Sequence, residues 1–324
     1  MKLIERIAAA LLTVAAIALP ELAGAQVWPA KPLRIIVNFP PGGAADVIAR
    51  AAAPGLGDAL GQQVVIENRP GAGGNIGANA VAKSPSDGYT LLMGSGGTVS
   101  INPHIYAKMP FDPVKDLQPV AAAARVLVFL VTRPELPVKT FGEFITYAKA
   151  NPGKLSFGSP GNGSSPHLPA EMLKRETRTF MVHIPYRGAA PALTDLLGGQ
   201  LDFMFDPGIG LQHVRSGKLR LLAVGSPKRS PLFPEVPTVA EAGVAGFDAD
   251  SWFGFYMPAA VPQEVVARLN REINRILQTA AVKERIAGLG GEAASMTPAE
   301  FGERGRADSV RFAAFIKAAG IKGD

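Results

Sequence analysis

Three stretches of the 324-residue chain gather glycine, proline and small hydroxyl residues where chemistry could be done: Phe39-Pro40-Pro41-Gly42-Gly43-Ala44-Ala45-Asp46, Asn68-Arg69-Pro70-Gly71-Ala72-Gly73-Gly74-Asn75-Ile76-Gly77, and Gly158-Ser159-Pro160-Gly161-Asn162-Gly163-Ser164-Ser165-Pro166-His167. Each separates an apolar run that reads as a strand from a pattern that reads as a helix. Glycine lets backbone approach a ligand closely, and the free N–H groups of a first helical turn carry partial positive charge. The chemistry this favours is anion binding. One helix end contributes about 0.3–1 kcal/mol to an exposed carboxylate and up to about 2 kcal/mol to a partly buried one, so two ends with hydroxyl donors could orient a dicarboxylate. Micromolar affinity, about −8 kcal/mol, also needs apolar contacts and closure around the ligand. The plainer alternative for each loop is a tight turn whose glycines take positive φ and whose Ser or Asp caps a helix. Asp46 shows the ambiguity: it can bind a ligand amine or satisfy backbone donors at its own helix start, and the second role is favoured.

Catalytic candidates are sparse. No serine sits in a complete Gly-x-Ser-x-Gly elbow, and Gly71-x-Gly73 is followed by Ile76 where a dinucleotide fingerprint needs glycine. His104, His167, His183 and His213 lack the paired spacing of a metal site. Ser164 or Ser165 with His167 is the one arrangement that could form a nucleophile, and a secreted serine hydrolase is kept as the enzyme alternative. An adhesin-like interaction protein is a third reading, which would show a broad exposed apolar patch and no small-molecule cleft. No metal, cofactor or catalytic residue is assigned.

The elements that must position these loops follow from pattern. Apolar runs at Leu33–Phe39, Val64–Glu67, Thr90–Met93, Val126–Thr132 and Leu219–Val224 alternate with helical segments, which predicts an α/β fold of βαβ units and largely parallel sheets. Residues 46–60 read as a helix that Pro54 and Gly55 should kink or shorten. Val265, Leu269, Ile273, Ile276 and Leu277 mark an amphipathic helix, and Thr297-Pro298-Ala299-Glu300 is a capping box opening a last helix. Residues 226–237 read as a long ordered connection. At the N-terminus, Lys2 and Arg6 precede an apolar run from Ile7 to Leu19 and then Ala23-Gly24-Ala25, the pattern of a secretory signal peptide, residues 1–25. The run is shorter than the roughly 20 residues a spanning helix needs. With 47% hydrophobic residues and about 300 residues beyond the leader, two domains are expected. The absence of cysteine rules out disulfides and lipid anchoring through Cys. The net charge of +6 is scattered without a basic run or interleaved aromatics, which argues against nucleic-acid binding.

A set of short matches then runs in order along the chain: Trp28-Pro29, Lys31-Pro32-Leu33-Arg34-Ile35-Ile36-Val37, Pro41-Gly42-Gly43 with Asp46 and Ala49-Arg50, Glu67 to Gly74, Asp87-Gly88-Tyr89-Thr90-Leu91, Asn102-Pro103, Gly163-Ser164-Ser165 with His167-Leu168, Pro185-Tyr186-Arg187-Gly188, and Asp195 to Asp202. In order and spacing they resemble the Bug-type substrate-binding proteins of tripartite tricarboxylate transporters. The resemblance implies a two-lobed periplasmic-binding-protein fold of type II-like topology, with two mixed or mostly parallel sheets, helices on both faces and a ligand cleft between lobes. It implies lobe 1 from residues 26–125 with 247–324 and lobe 2 from 126–246. The loop matching Pro41 to Ala44 and the loop matching Gly161 to Ser165 would face each other across the cleft. The site residues implied are Phe39, Pro41, Gly42, Gly43, Ala44, Asp46, Ser95, Thr98, Gly161, Asn162, Ser164, Ser165, His167, Gly188 and Asp206, with those near Asp206 and Ser95 choosing the distal part of the ligand. The partners implied are a small organic anion (dicarboxylate, amino acid or aromatic acid) and a membrane transporter of one large and one small subunit, or else a signalling partner for which the protein is a sensor. A monomer in the periplasm is expected.

Overall fold

The computed structural model describes residues 28–322. Of the two units into which the chain divides, residues 1–30 and 31–324, the second carries every strand and helix considered below. The leader expected at residues 1–25 lies outside the described residues. Among the described residues no helix is long and apolar enough to cross a membrane.

The strands are β1 (Leu33–Val37), β2 (Val64–Asn68), β3 (Thr90–Ser95), β4 (Leu117–Val126), β5 (Phe129–Thr132), β6 (Ser156–Ser159), β7 (Val182–Pro185), β8 (Phe203–Asp206), β9 (Arg220–Val224), β10 (Ser251–Pro258) and β11 (Gly291–Ala293). They form a six-stranded sheet in the order β11-β4-β10-β3-β1-β2 and a five-stranded sheet in the order β7-β6-β8-β5-β9. These sheets are the centres of the two lobes. Both are mixed: β1 runs parallel to β2 and β3, and β6 parallel to β7 and β8, but β10 is antiparallel to β3 and β4, as β5 is to β8 and β9. The largely parallel reading therefore needs correction. The antiparallel strands flank the points where the chain passes from one sheet to the other, a connection that is not a βαβ unit.

The apolar run Val126–Thr132, read as one strand, is in fact divided. Val126 ends β4, Leu127 and Val128 carry the chain across, and Phe129 begins β5 in the other sheet. Burial hides the break, because every residue from Val126 to Val131 is buried and no polar residue marks the change of lobe. From Val128 into β5 the faces alternate: Val128 and Leu130 join a core with Phe144, Phe157 and Phe205, while Phe129 and Val131 join Leu193, Leu196 and Met204 on the opposite face. The return crossing runs from Val224 to Ser251. Asp250 there pairs with Arg125 of β4 and accepts the Ser226 hydroxyl, which ties the two crossings together.

The first helix runs unbroken over Ala44–Leu60, so Pro54 does not shorten it. Pro54 and Arg50 are both exposed, which lets water satisfy the carbonyl that the missing N–H leaves free. Gly55 permits close contact instead: a Cβ there would lie 3.1 Å from Cγ2 of Ile276, on the helix Gln263–Leu277. That helix buries Val265, Leu269, Ile273, Ile276 and Leu277, as its spacing predicts. The capping box also forms: Thr297 Oγ1 accepts the Glu300 N–H at 3.2 Å, and Glu300 accepts the Thr297 N–H at 2.7 Å, opening the helix Pro298–Ala319.

Candidate functional site

In each lobe the strand order reverses about one strand. The chain leaves β1 for β2 on one side and crosses to β3 on the other; likewise it leaves β6 for β7 and then crosses to β8. The carboxyl ends of β1 and β6 are therefore switch points, where diverging loops leave a crevice open to a ligand. A cavity of ≈ 30 Å³ lies where these ends meet. Phe39, Gly43, Ala44, Ala45, Ser95 and Phe253 line it from the six-stranded lobe, and Pro160, Pro166, Ala189 and Pro207 from the other.

Two helix starts, one from each lobe, reach this cavity. Gly43 precedes the helix Ala44–Leu60 and Gly188 precedes the helix Ala189–Leu197; neither end has a side-chain cap. The amides of Ala44, Ala45 and Ala189 are first-turn donors without intrahelical acceptors, the arrangement that draws negative charge. Ser95, at the end of β3, adds a hydroxyl. The residue lines the cavity and is 3% exposed, and its Oγ has no hydrogen-bond partner among the described residues. A buried hydroxyl left unsatisfied costs free energy, so its placement beside two helix starts points to a polar ligand atom.

Of the residues expected at the site, Phe39, Gly43, Ala44 and Ser95 line the cavity and the others do not. Asp46 is committed to its own loop: one oxygen accepts the Gly42 N–H at 3.0 Å and Arg50 Nε at 2.9 Å, and the other accepts Asn68 Nδ2 at 2.9 Å. Burial works to raise its pKa, but the bonds from Arg50, Gly42 and Asn68 together outweigh it and hold the carboxyl below its usual value. Pro41 continues this loop. Thr98 Oγ1 accepts Asn38 Nδ2 at 2.9 Å, bracing the chain just after β1. Ser164 donates its hydroxyl to the Gly161 carbonyl at 2.7 Å, which closes the turn before the helix His167–Thr177.

Gly161, Asn162, Ser165 and Gly188 lie where the lobes touch. Tyr106 donates its hydroxyl to the Asn162 carbonyl at 3.1 Å. A Cβ on Gly97 would sit 3.0 Å from Gly163 O, Ser165 N and Ser165 Oγ, and one on Gly188 would sit 2.4 Å from Pro40 Cγ and Cδ. Beside these contacts Leu168, on the second lobe, is buried in a cluster with Ile101, Ile105, Phe312 and Ile316. Asp206 ends β8, fully buried, with one oxygen accepting the Gly208 and Gly210 amides at 2.9 Å each. Burial pushes its carboxyl up to about 7 against the opposing pull of those amides and that of Ile209.

The hydrolase arrangement does not assemble. His167 is buried, stacks on His183 with ring centres 4.2 Å apart, and accepts the Gly163 N–H at its Nδ1, 3.4 Å away. Burial, with the charges of His183 and Lys174 adding to it, lowers its pKa to about 3, so it stays neutral; Ser164 meanwhile spends its proton on a carbonyl. Among the described residues no three His, Cys, Asp or Glu side chains gather to hold a metal ion.

Sequence reading missed Ala45, Phe253, Pro160, Pro166, Ala189 and Pro207 as wall residues. Ala189 carries a signal in hindsight, since Gly188 opens a helix as Gly43 does. Phe253 carries none, because only the pairing of β10 with β3 brings it to Ser95.

The family model described as tripartite tricarboxylate transporter family receptor matches residues 48–321. The chain is 41% identical over 303 residues to protein BugT of Bordetella pertussis, an alignment covering 92% of each protein. Its structure is similar to that of the periplasmic binding protein BugD, with a TM-score of 0.87 and 33% identity over 91% of this chain and 99% of that one. It is equally similar to R. palustris Rpa4515 with adipate, with a TM-score of 0.88 and 35% identity over the same shares.

Proposed function

The chain belongs to the tripartite tricarboxylate transporter receptor family, whose members are periplasmic binding proteins, and from that membership we propose how its cleft captures a small organic carboxylate for delivery to a membrane transporter. It is a receptor, not an enzyme. The observation that carries the reading is the convergence of two uncapped helix starts from opposite lobes on one cavity with the unpartnered hydroxyl of Ser95. A carboxylate seated by Ala44, Ala45 and Ser95 gains its last donors from Ala189 only when the lobes meet. Binding and closure are thereby coupled, since a ligand favours the state in which it makes more contacts. A cavity of ≈ 30 Å³ has room for about two water molecules and not for an organic acid, so the lobes part to admit the acid and re-close about it.

In this account the lobes are residues 26–125 with 247–324 and residues 126–246, hinged at the two crossings that Arg125, Ser226 and Asp250 join. Asp46, Thr98 and Ser164 hold the loops in shape, while Gly161, Asn162, Ser165 and Gly188 form the closing seam. Residues 1–25 are a cleaved export leader, which would leave Gln26 as the first residue of the periplasmic protein. The closed receptor is read by a transporter of one large and one small membrane subunit. The bound adipate of Rpa4515 supports a dicarboxylate-sized guest.

Ser95→Ala tests the reading by titration calorimetry with the tightest acid from a thermal-shift panel. Losing a hydrogen bond to a charged group costs about 1.5–3 kcal/mol, which is about ten- to hundredfold in affinity. Unchanged affinity would remove the hydroxyl from the seat.

A further inference from the structure

We infer that a basic-rimmed groove on the six-stranded lobe docks the protein onto an anionic phospholipid surface, whichever acid the cleft binds. The groove is open, ≈ 1100 Å³ in volume, and is lined by residues 103–108 and by the end of the helix Pro298–Ala319 with the residues that follow it. His104 Nε2 lies 2.7 Å from Ser309 Oγ, which ties the two walls together. Ile105 and Ile316 are buried and form the floor, with Tyr106 and Ile321 half-buried beside them. Lys108, Lys317 and Lys322 stand exposed along the rim. No acidic side chain lines the groove, and among the described residues none of these three lysines has an ion-pair partner.

This composition fits a membrane surface better than an acidic protein. Lysine is a compact charge on a flexible apolar stem, so its ammonium can meet a lipid phosphate while the stem covers hydrocarbon. Tyrosine and isoleucine beside such charges suit the boundary between headgroups and acyl chains. The lining is helix and loop, with no strand edge to pair with an extended peptide and no arginine fork to grip a carboxylate. Every lining residue belongs to the six-stranded lobe, so a receptor held here keeps its other lobe free to close and meets a membrane transporter by moving along the surface.

Co-sedimentation tests the docking. The processed protein is mixed with vesicles of phosphatidylglycerol and phosphatidylcholine in equal parts, and with vesicles of phosphatidylcholine alone; it should bind the first and not the second. Each lysine near an anionic surface is worth about fivefold in partitioning, so Lys108→Glu, Lys317→Glu and Lys322→Glu together should weaken binding at least about hundredfold at low ionic strength. A control triple of exposed lysines outside the groove, Lys139→Glu, Lys149→Glu and Lys283→Glu, takes the formal charge from +6 to the same 0 (6 − 6) and should cost less than about fivefold. Should a triple variant fail to fold, Lys317→Gln alone reads the effect, a loss of about fivefold. No binding to the anionic vesicles, or equal losses in the two triples, would overturn the inference and leave the carboxylate receptor standing. Binding of poly-L-glutamate through the same lysines, without binding to vesicles, would overturn it too and make the groove a protein-docking surface.

Discussion

Leu168→Ala should weaken ligand binding although Leu168 lies outside the cavity wall. The side chain projects from the second lobe into a cluster formed with Ile101, Ile105, Phe312 and Ile316 of the first, and it is 2% exposed. Closure buries it against the other lobe; opening returns much of it to water. Truncation to alanine removes three carbons, each worth about 0.8 kcal/mol when buried, for a loss near 2.4 kcal/mol if the whole side chain changes environment. Neighbours on its own helix keep part of it covered when the lobes separate, so about 1.4–2 kcal/mol is the share charged to closure. That corresponds to about a ten- to thirtyfold rise in Kd, because the free energy of closing is part of the free energy of binding. Titration calorimetry supplies the Kd, and small-angle X-ray scattering supplies the radius of gyration of free and saturated protein. The saturated variant should still compact, at a higher ligand concentration. A Kd within twofold of the parent protein would refute the coupling of this cluster to ligand capture.

Gly188→Ala acts on the same step by steric means. Its Cβ would lie 2.4 Å from Pro40 Cγ and Cδ across the seam. Overpacking of about 1–3 kcal/mol should cost about tenfold or more in affinity and reduce ligand-induced compaction, and full compaction at parental affinity would contradict it. Asp206 makes a prediction about pH. Burial raises its folded pKa to about 7, above the roughly 3.9 of the unfolded chain, so the folded state holds the extra proton between these values. Its contribution to stability is complete below about pH 4 and declines as pH rises through 7. Asp206→Asn does not titrate, and its Tm relative to the parent should rise from pH 5 to pH 8; parallel curves would show that the carboxyl is not perturbed. Export makes a prediction as well: intact mass of the periplasmic protein should begin at Gln26, and retention of residues 1–25 would remove the leader assignment.

What the sequence made legible was local. Gly42-Gly43 announced one helix start and Thr297 with Glu300 announced another, because each depends on neighbours within a few residues. Leu33–Val37 could be read as a strand because a parallel strand covered on both faces is apolar throughout. The division of Val126–Thr132 between two sheets was not legible, since burial continues unbroken through Leu127 and Val128. Nor was the division of labour among the hydroxyls. Ser164 and Ser165 have the more suggestive setting, yet Ser164 is spent on the Gly161 carbonyl and Ser165 sits at the seam, while the unpartnered hydroxyl in the wall belongs to Ser95. That outcome depends on β3 and β10 pairing across the sheet, a contact between residues more than 150 positions apart.

The most direct measurement is a crystal structure of the receptor with its bound acid. A carboxylate oxygen is predicted within about 3.2 Å of the Ala44 or Ala45 amide and of Ser95 Oγ, with the Ala189 helix start closing from the other lobe. An acid held chiefly by an arginine or lysine side chain, or bound outside the cleft between β1 and β6, would contradict the account.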